Sequence, residues 1–389
     1  MPDHLSVFHS VKASKVNWAG ELSGAYGDLG TFLPLVMGIL LLGQFDTTGI
    51  LIGFGVFALA SGLFFRRPVP VQPMKAIAAY AIVGGLTPAA VTASGLVLGV
   101  VLLVLGATRL FRRLDRWVPA VVLAGIQLGL GISLVFISVS LVASLWYCVL
   151  LIVLFLLALQ GSRFQVPGAL VLLISGVLWS LIWGGHTIPA LPFKIYWPEL
   201  HFPEWSDFKL ALQSAVLPQF AMTLTNAVLL TALVSSQYFP DSADRDRITP
   251  RYLAISTGFF NVLLAPIGAF PMCHGAGGMV AHYHLGARRG IAMVIFGITC
   301  LLLGLFVGAQ SLLLLALVPA VIVSGLLAYA GLQLANLQKF WKQSVADRWL
   351  VLAVAVICVA VNAGVALIVG IVLSRLLQKM TPPASIDLP

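Results

Sequence analysis

Val118-Pro119-Ala120-Val121-Val122, followed by Gly125, returns as Val318-Pro319-Ala320-Val321-Ile322, followed by Gly325, at an offset of 200 residues. A second landmark keeps nearly the same distance: Pro73-Met74 and Pro271-Met272 lie 198 residues apart. Chance recurrence of VPAV in apolar sequence is the bland alternative, and two agreeing offsets weigh against it. The chain therefore reads as two related halves.

Composition says what kind of halves these are. Only 9% of the 389 residues are charged and 60% are hydrophobic, whereas a soluble domain carries roughly 25% charged residues. Such a chain cannot cover a water-facing surface. Disorder, coiled coil and nucleic-acid binding all require abundant charge and fail on the same number. The net charge of +9 reads as membrane topology, since cytoplasmic loops accumulate Lys and Arg. Runs such as 97–106 and 150–159 are apolar on every face, which excludes the alternating pattern of a β-barrel. The four cysteines, Cys148, Cys273, Cys300 and Cys358, show no CxxC spacing and read as buried free thiols.

Apolar stretches run at about 20–43, 47–65, 71–84, 89–108, 117–138, 142–160, 166–184, 208–235, 250–268, 271–286, 290–309, 314–335, 348–361 and 363–378. Stretches 71–84 and 271–286 are too short for full helical spans. Each opens on proline, which pushes the preceding residue into an extended conformation. Both are expected to enter the membrane extended and finish as half-helices. With the N-terminus cytoplasmic, fourteen crossings place 19 of the 22 Lys and Arg on one side, leaving Lys75, Lys194 and Lys209 apart.

The expectation is an all-α polytopic membrane protein of 14 transmembrane segments, arranged as a 7+7 inverted repeat with half-helices at segments 3 and 10. Seven crossings per half is odd, so the halves must be inserted in opposite orientations. Its parts would be a cytoplasmic segment 1–19, a first repeat 20–185, an external loop 186–207, a second repeat 208–379 and a cytoplasmic tail 380–389. Both termini would face the cytoplasm across a cell membrane, with no signal peptide and no soluble domain. Inverted repeats with paired broken segments indicate a secondary transporter whose site lies at the midplane.

Polar groups inside spans are then informative. Asp28 lies in the first span, with Glu21 seven residues earlier on the same helical face. Lys75 begins the first half-helix. The acid and base form either a pair serving a shared ligand or a salt bridge that only fixes packing. The second half contributes Thr223, Thr225 and Asn226, then Cys273-His274-Gly275-Ala276-Gly277-Gly278. Small residues at a helix start leave N–H donors accessible to an anion, although glycines also serve close packing. Two such N-termini with one lysine would form an electropositive cage for a small anion. His274 reads as a ligand, a proton carrier or a packing residue. His282 and His284, near Arg288, read as interfacial, and Trp179, Trp183, Trp197 and Trp205 as an aromatic belt.

The blocks ELSGAYGDLGTFLP (21–34), PVPVQPMKAIAAYA (68–81), LPQFAMTLTNAV (217–228), FPDSADRDRITPR (239–251) and GAFPMCHGAGGMVAHYHLGAR (268–288) resemble the signature blocks of the molybdate transporter family. That family is related to the sulfate permeases and more distantly to the uracil/xanthine permeases. The resemblance implies a core domain of spans 1–4 and 8–11, a gate domain of spans 5–7 and 12–14, and an oxyanion held between spans 3 and 10. It also implies secondary active transport of a tetrahedral oxyanion by an elevator-like movement, molybdate first and sulfate second. An anion channel on the same fold is the alternative. The expected substrate shell is Gln72, Lys75, Thr225, Asn226, His274, Gly275 and Ala276, with Asp28 and Glu21 in coupling or charge pairing. No cofactor, metal or catalytic residue is expected, since HExxH and GxSxG are absent. Beside the bilayer and the oxyanion, the partners allowed for are a coupled proton or cation and a homodimer, and not nucleic acid. Two departures stand out. The sulfate permeases usually carry a C-terminal STAS domain, whereas this chain stops about ten residues after its last span. Span 8 reads TLTN where relatives often have an acid, which moves the coupling role to Asp28.

Overall fold

Capping residues and prolines divide the apolar chain into helices. The computed structural model describes residues 16–42, 44–108, 119–160, 168–188, 194–240, 244–310, 313–314, 316–335 and 337–380. The N-terminal segment before residue 16, the basic clusters at 109–116 and 163, and the tail after residue 380 lie outside the described residues. In order, the helices of the first half are α1 (Trp18–Ala25), α2 (Leu29–Leu40), α3 (Thr47–Phe65), α4 (Lys75–Ile82), α5 (Pro88–Thr108), α6 (Ala120–Leu141), α7 (Trp146–Gln160) and α8 (Gly168–Ile182). The second half follows with α9 (Trp205–Tyr238), α10 (Pro250–Leu264), α11 (Ala276–His284), α12 (Ile291–Phe306), α13 (Ala320–Ala335), α14 (Val345–Ala360) and α15 (Ala363–Met380). Two short strands, β1 (Gln72–Pro73) and β2 (Met272–Cys273), lead into α4 and α11.

Local chemistry explains the starts. Asp46 accepts from the Thr48 and Gly49 amides at the head of α3, and Ser344 accepts from Asp347 N at the head of α14. Thr249 caps α10, whose first residue is Pro250, where the missing N–H costs nothing. Among the described residues, α3, α5, α6 and α9 are long and apolar enough to cross a hydrocarbon core by themselves. Large apolar side chains such as Phe136, Leu151 and Val356 stand exposed, as a lipid-facing surface requires. The belt residues Trp179, Trp183, Trp197 and Trp205 are exposed as well, and all four cysteines are free.

One expectation fails. The stretch 20–43 is not a continuous helix: the chain turns at Tyr26–Asp28 between α1 and α2. Gly24 lies so close to Ala287 that a β-carbon there would collide, and one on Gly27 would crowd the 281–282 backbone. This approach of α11 and its following loop fits the turn, and it removes the shared helical face of Glu21 and Asp28.

The helices assemble in matched pairs. α3 packs along α12, α5 along α10, and α6 along α13. Each crossing brings glycines of both helices together: Gly55 with Gly297, Gly99 with Gly258, and Gly131 with Gly331. Small residues let backbones approach where lipid supplies no hydrophobic drive for association. Near the middle, β1 and β2 pair antiparallel with Gln72 opposite Cys273 and Pro73 opposite Met272. Asn261 of α10 secures this pair, accepting from Met272 N at 2.9 Å and donating to Met272 O at 2.6 Å. Phe57 and Phe260 stack with centroids 4.6 Å apart, joining α3 to α10.

Candidate functional site

The strand pair aims the starts of α4 and α11 at the centre of the molecule. Met74, just before α4, donates its N–H to Pro271 O at 2.9 Å, so the two helix starts are tied by backbone. Lys75 is the first residue of α4 and is half-buried. It lines a cavity with Thr31 and Leu35 of α2, Leu134 of α6, and Ala330, Gln333 and Leu334 of α13. Among the described residues, the only ion pair joins Arg67 to Asp244, so no carboxylate neutralises the Lys75 ammonium by direct contact. The acid and base of the first half are therefore not a salt bridge.

Asp28 instead accepts a 2.5 Å hydrogen bond at Oδ2 from Gln72 Nε2. That bond fixes which face the Gln72 amide presents. Gln72 is buried, with its side-chain tip against Gly275 and Gly278 at the start of α11. A β-carbon on Gly278 would lie 2.6 Å from Asp28 Oδ2 and closer still to Gln72 Nε2. The space beside Gly275, one of the expected shell residues, is thus filled by Gln72. The open glycine is Gly277: it is exposed within a buried stretch, and nothing lies within 4 Å of where its β-carbon would be. Ala276 is buried beside it.

Other expected residues separate into two groups. Thr225 and Asn226 lie half-buried in a π-helical stretch of α9, Thr223–Leu230. Such widened turns are frequent at functional sites. The Thr225 hydroxyl is bonded back to Ala221 O at 2.9 Å, while the side-chain amide of Asn226 makes no hydrogen bond with the described residues. His274 is fully buried, with Nδ1 2.8 Å from Pro70 O and Nε2 2.8 Å from Ser256 Oγ. Rings of Phe57 and Phe65 meet it edge-on. Both nitrogens are committed, which favours its packing alternative. Glu21 is buried too, and its Oε1 accepts from the amides of Arg288 and Arg289, each at 2.9 Å. It secures the loop ahead of α12 and does not touch Asp28.

Two residues escaped sequence reasoning. Gln219 of α9 is buried, accepts from Ala76 N at 2.8 Å and donates to Thr223 Oγ1 at 2.9 Å. It takes one of the unpaired donors at the start of α4, so that terminus keeps fewer for a ligand than α11. Its place beside Pro218 gave no sign of these contacts. His282, expected at the interface, is 2% exposed with Nδ1 2.6 Å from Gly24 O. Only the fold around the Tyr26–Asp28 turn puts it inside.

The arrangement is a cation lining a cavity between α2, α4, α6 and α13, on a helix whose entry strand is paired with the strand that leads into α11. The chain is similar to known transporters. The family described as molybdate transporters of the MFS superfamily matches at residues 20–134 and 211–334, more than half of the chain. Molybdate transporter 2 of Arabidopsis thaliana is 29% identical, covering 93% of this chain and 88% of its own. Molybdate transporter 1 of Chlamydomonas reinhardtii is 26% identical, covering 92% and 91%. Among solved structures, the transmembrane domain of a cyanobacterial bicarbonate transporter, BicA, superposes with a TM-score of 0.64 at 17% identity, over 90% of this chain and 96% of that one. The murine Slc26a9 anion transporter gives 0.65 at 14% identity, over 95% and 69%. These two likenesses establish the fold. The protein is a membrane transporter and not an enzyme, and the chain belongs to the molybdate transporter family.

Proposed function

We propose that this protein is a secondary active transporter that carries molybdate, and sulfate less well, across the cell membrane, with both termini cytoplasmic. The observation that carries the reading is the Lys75 ammonium, in contact with no carboxylate among the described residues, at the cavity between α2, α4, α6 and α13. A half-buried cation that no carboxylate contacts directly is costly in a membrane interior, and a tetrahedral dianion bound against it lowers that cost. Gly277 and Gly278 supply backbone donors at the α11 N-terminus. Asn226, Thr225 and Gln72 complete the shell, with Asp28 orienting the amide of Gln72.

The fourteen-span inverted repeat belongs to this proposal. Its spans are α1 with α2, α3, β1 with α4, then α5 to α10 singly, β2 with α11, and α12 to α15 singly. Adding seven to each span number turns the pair α3–α12 into the pair α10–α5, and both pairs are packed together. Spans 3 and 10 map onto each other, and so do 5 and 12. Their contacts, β1 with β2 and Gly131 with Gly331, would then lie on the pseudo-two-fold axis. Gly131 and Gly331 are separated by 200 residues, the offset of the VPAV landmark. The crossings α3–α12 and α5–α10 fall in the proposed core, and α6–α13 in the proposed gate. Two internally locked bodies suit an elevator in which the core slides against the gate. Uptake of labelled molybdate into proteoliposomes tests the reading. Saturable uptake that sulfate and tungstate compete for and uracil does not would support it, and uptake indifferent to sulfate and tungstate would refute it.

A further inference from the structure

A second cavity is one that the substrate reading leaves unused. Asp28 and His282 both line it, and its other walls include Phe32, Val71, Met293 and Phe296. The Gly24 carbonyl can only accept, so Nδ1 of His282 carries the proton of that 2.6 Å bond. Nε2 is then the basic atom, and it has no hydrogen-bond partner among the described residues. The titratable and charged groups around the pair are few. Lys75 at the start of α4 and Cys273 of β2 act on Asp28 or are acted on by it, and Gln72 and Thr31 bond to its carboxylate. Glu21 of α1 is committed to the Arg288 and Arg289 amides. The walls from α12 named above are apolar.

We propose that the Asp28 carboxylate and His282 Nε2 form a two-proton site that loads and unloads with the oxyanion. The argument is one of charge and rests on the molybdate reading. With the substrate site empty, Lys75 and Asp28 balance. A dianion beside Lys75 leaves the same region two negative charges in excess, in surroundings where uncompensated charge is expensive. Two proton-accepting groups on residues that line one cavity match that excess. One proton forms an O–H bond on Asp28 and the other an N–H bond on His282. Both come from the aqueous side where the oxyanion enters, and both return to water where it leaves. The loaded carrier then crosses neutral, and so does the empty one.

Proteoliposomes with the voltage clamped at zero by potassium and valinomycin measure the stoichiometry. Two protons per molybdate predict a steady accumulation of about 100-fold per pH unit, and one proton about tenfold. His282→Gln keeps a donor for Gly24 O and should fall from about 100-fold to about tenfold. Exchange of labelled for unlabelled molybdate at equal pH needs no net proton movement and should continue in this variant. Exchange in the wild type with accumulation indifferent to pH, or only tenfold per pH unit, would overturn the two-proton site and leave the substrate reading standing. An unchanged 100-fold ratio in His282→Gln would remove His282 from it. Absence of molybdate exchange in the wild type would instead overturn the substrate reading.

Discussion

A methyl group at Gly278 separates the two uses of the α11 start. The added β-carbon in Gly278→Ala would lie 2.6 Å from Asp28 Oδ2 and nearer to Gln72 Nε2, against ordinary contacts of about 3.5–4.0 Å. Something must move by roughly 1 Å, and the mobile parties are the two side chains that bond each other. Leaving a buried donor or acceptor without its partner costs about 1–3 kcal/mol, the same scale as overpacking a filled core, about 1–3 kcal/mol. If Gln72 must be held by Asp28 to meet the oxyanion, that loss becomes about a 10–100-fold weaker molybdate affinity. Gly277→Ala is the companion variant. Its β-carbon meets nothing within 4 Å, so the fold should be untouched while the methyl narrows the open side of the donors. Thermal unfolding and molybdate titration in detergent read both variants. Gly278→Ala should lose stability and affinity, and Gly277→Ala affinity alone. Wild-type affinity in Gly278→Ala would refute the role of the Gln72–Asp28 bond, and wild-type affinity in Gly277→Ala would move the anion away from α11.

Asn261→Ala should destabilise the fold by about 1–3 kcal/mol for each backbone group of Met272 left unpaired and should loosen β2, seen as faster amide exchange at Met272. Unchanged exchange there would mean the strand pair holds without the clamp. Cysteines introduced at Glu199 and at Arg289 should label from opposite faces of the membrane, and labelling from one face would remove a crossing from the inverted repeat.

Much of the architecture is legible in the chain because proline, glycine and charge act locally. Pro70, Pro73 and Pro271 dictate extended backbone wherever they stand, and the structure has paired strands at Gln72–Pro73 and Met272–Cys273. The stretch 47–65 coincides with α3 because Asp46 caps its first turn and Arg66 leaves it in a left-handed conformation. The break at Tyr26–Asp28 was not legible, since it accommodates a segment some 250 residues away that must pack against Gly24 and Gly27. The same distance hides His282. A histidine near arginines reads as interfacial until the chain folds a carbonyl onto it. Gln219 is hidden for a related reason: a glutamine beside a proline in a span gives no sign that its acceptor meets Ala76 N, 143 residues earlier. Lys75 stood out in the sequence because an ammonium in an apolar segment always needs an explanation, and the structure places it at a cavity.

That residue also offers the most direct measurement of the account. Two unit charges 4 Å apart interact by about 4 kcal/mol at an effective dielectric constant of 20, and 4 kcal/mol corresponds to about a thousandfold in affinity. Molybdate titrated into purified wild type, Lys75→Arg and Lys75→Ala should therefore show binding in the first, partial binding in the second, where the charge is kept and its reach altered, and loss of about a thousandfold or more in the third. Unchanged affinity in a folded Lys75→Ala protein would contradict the account.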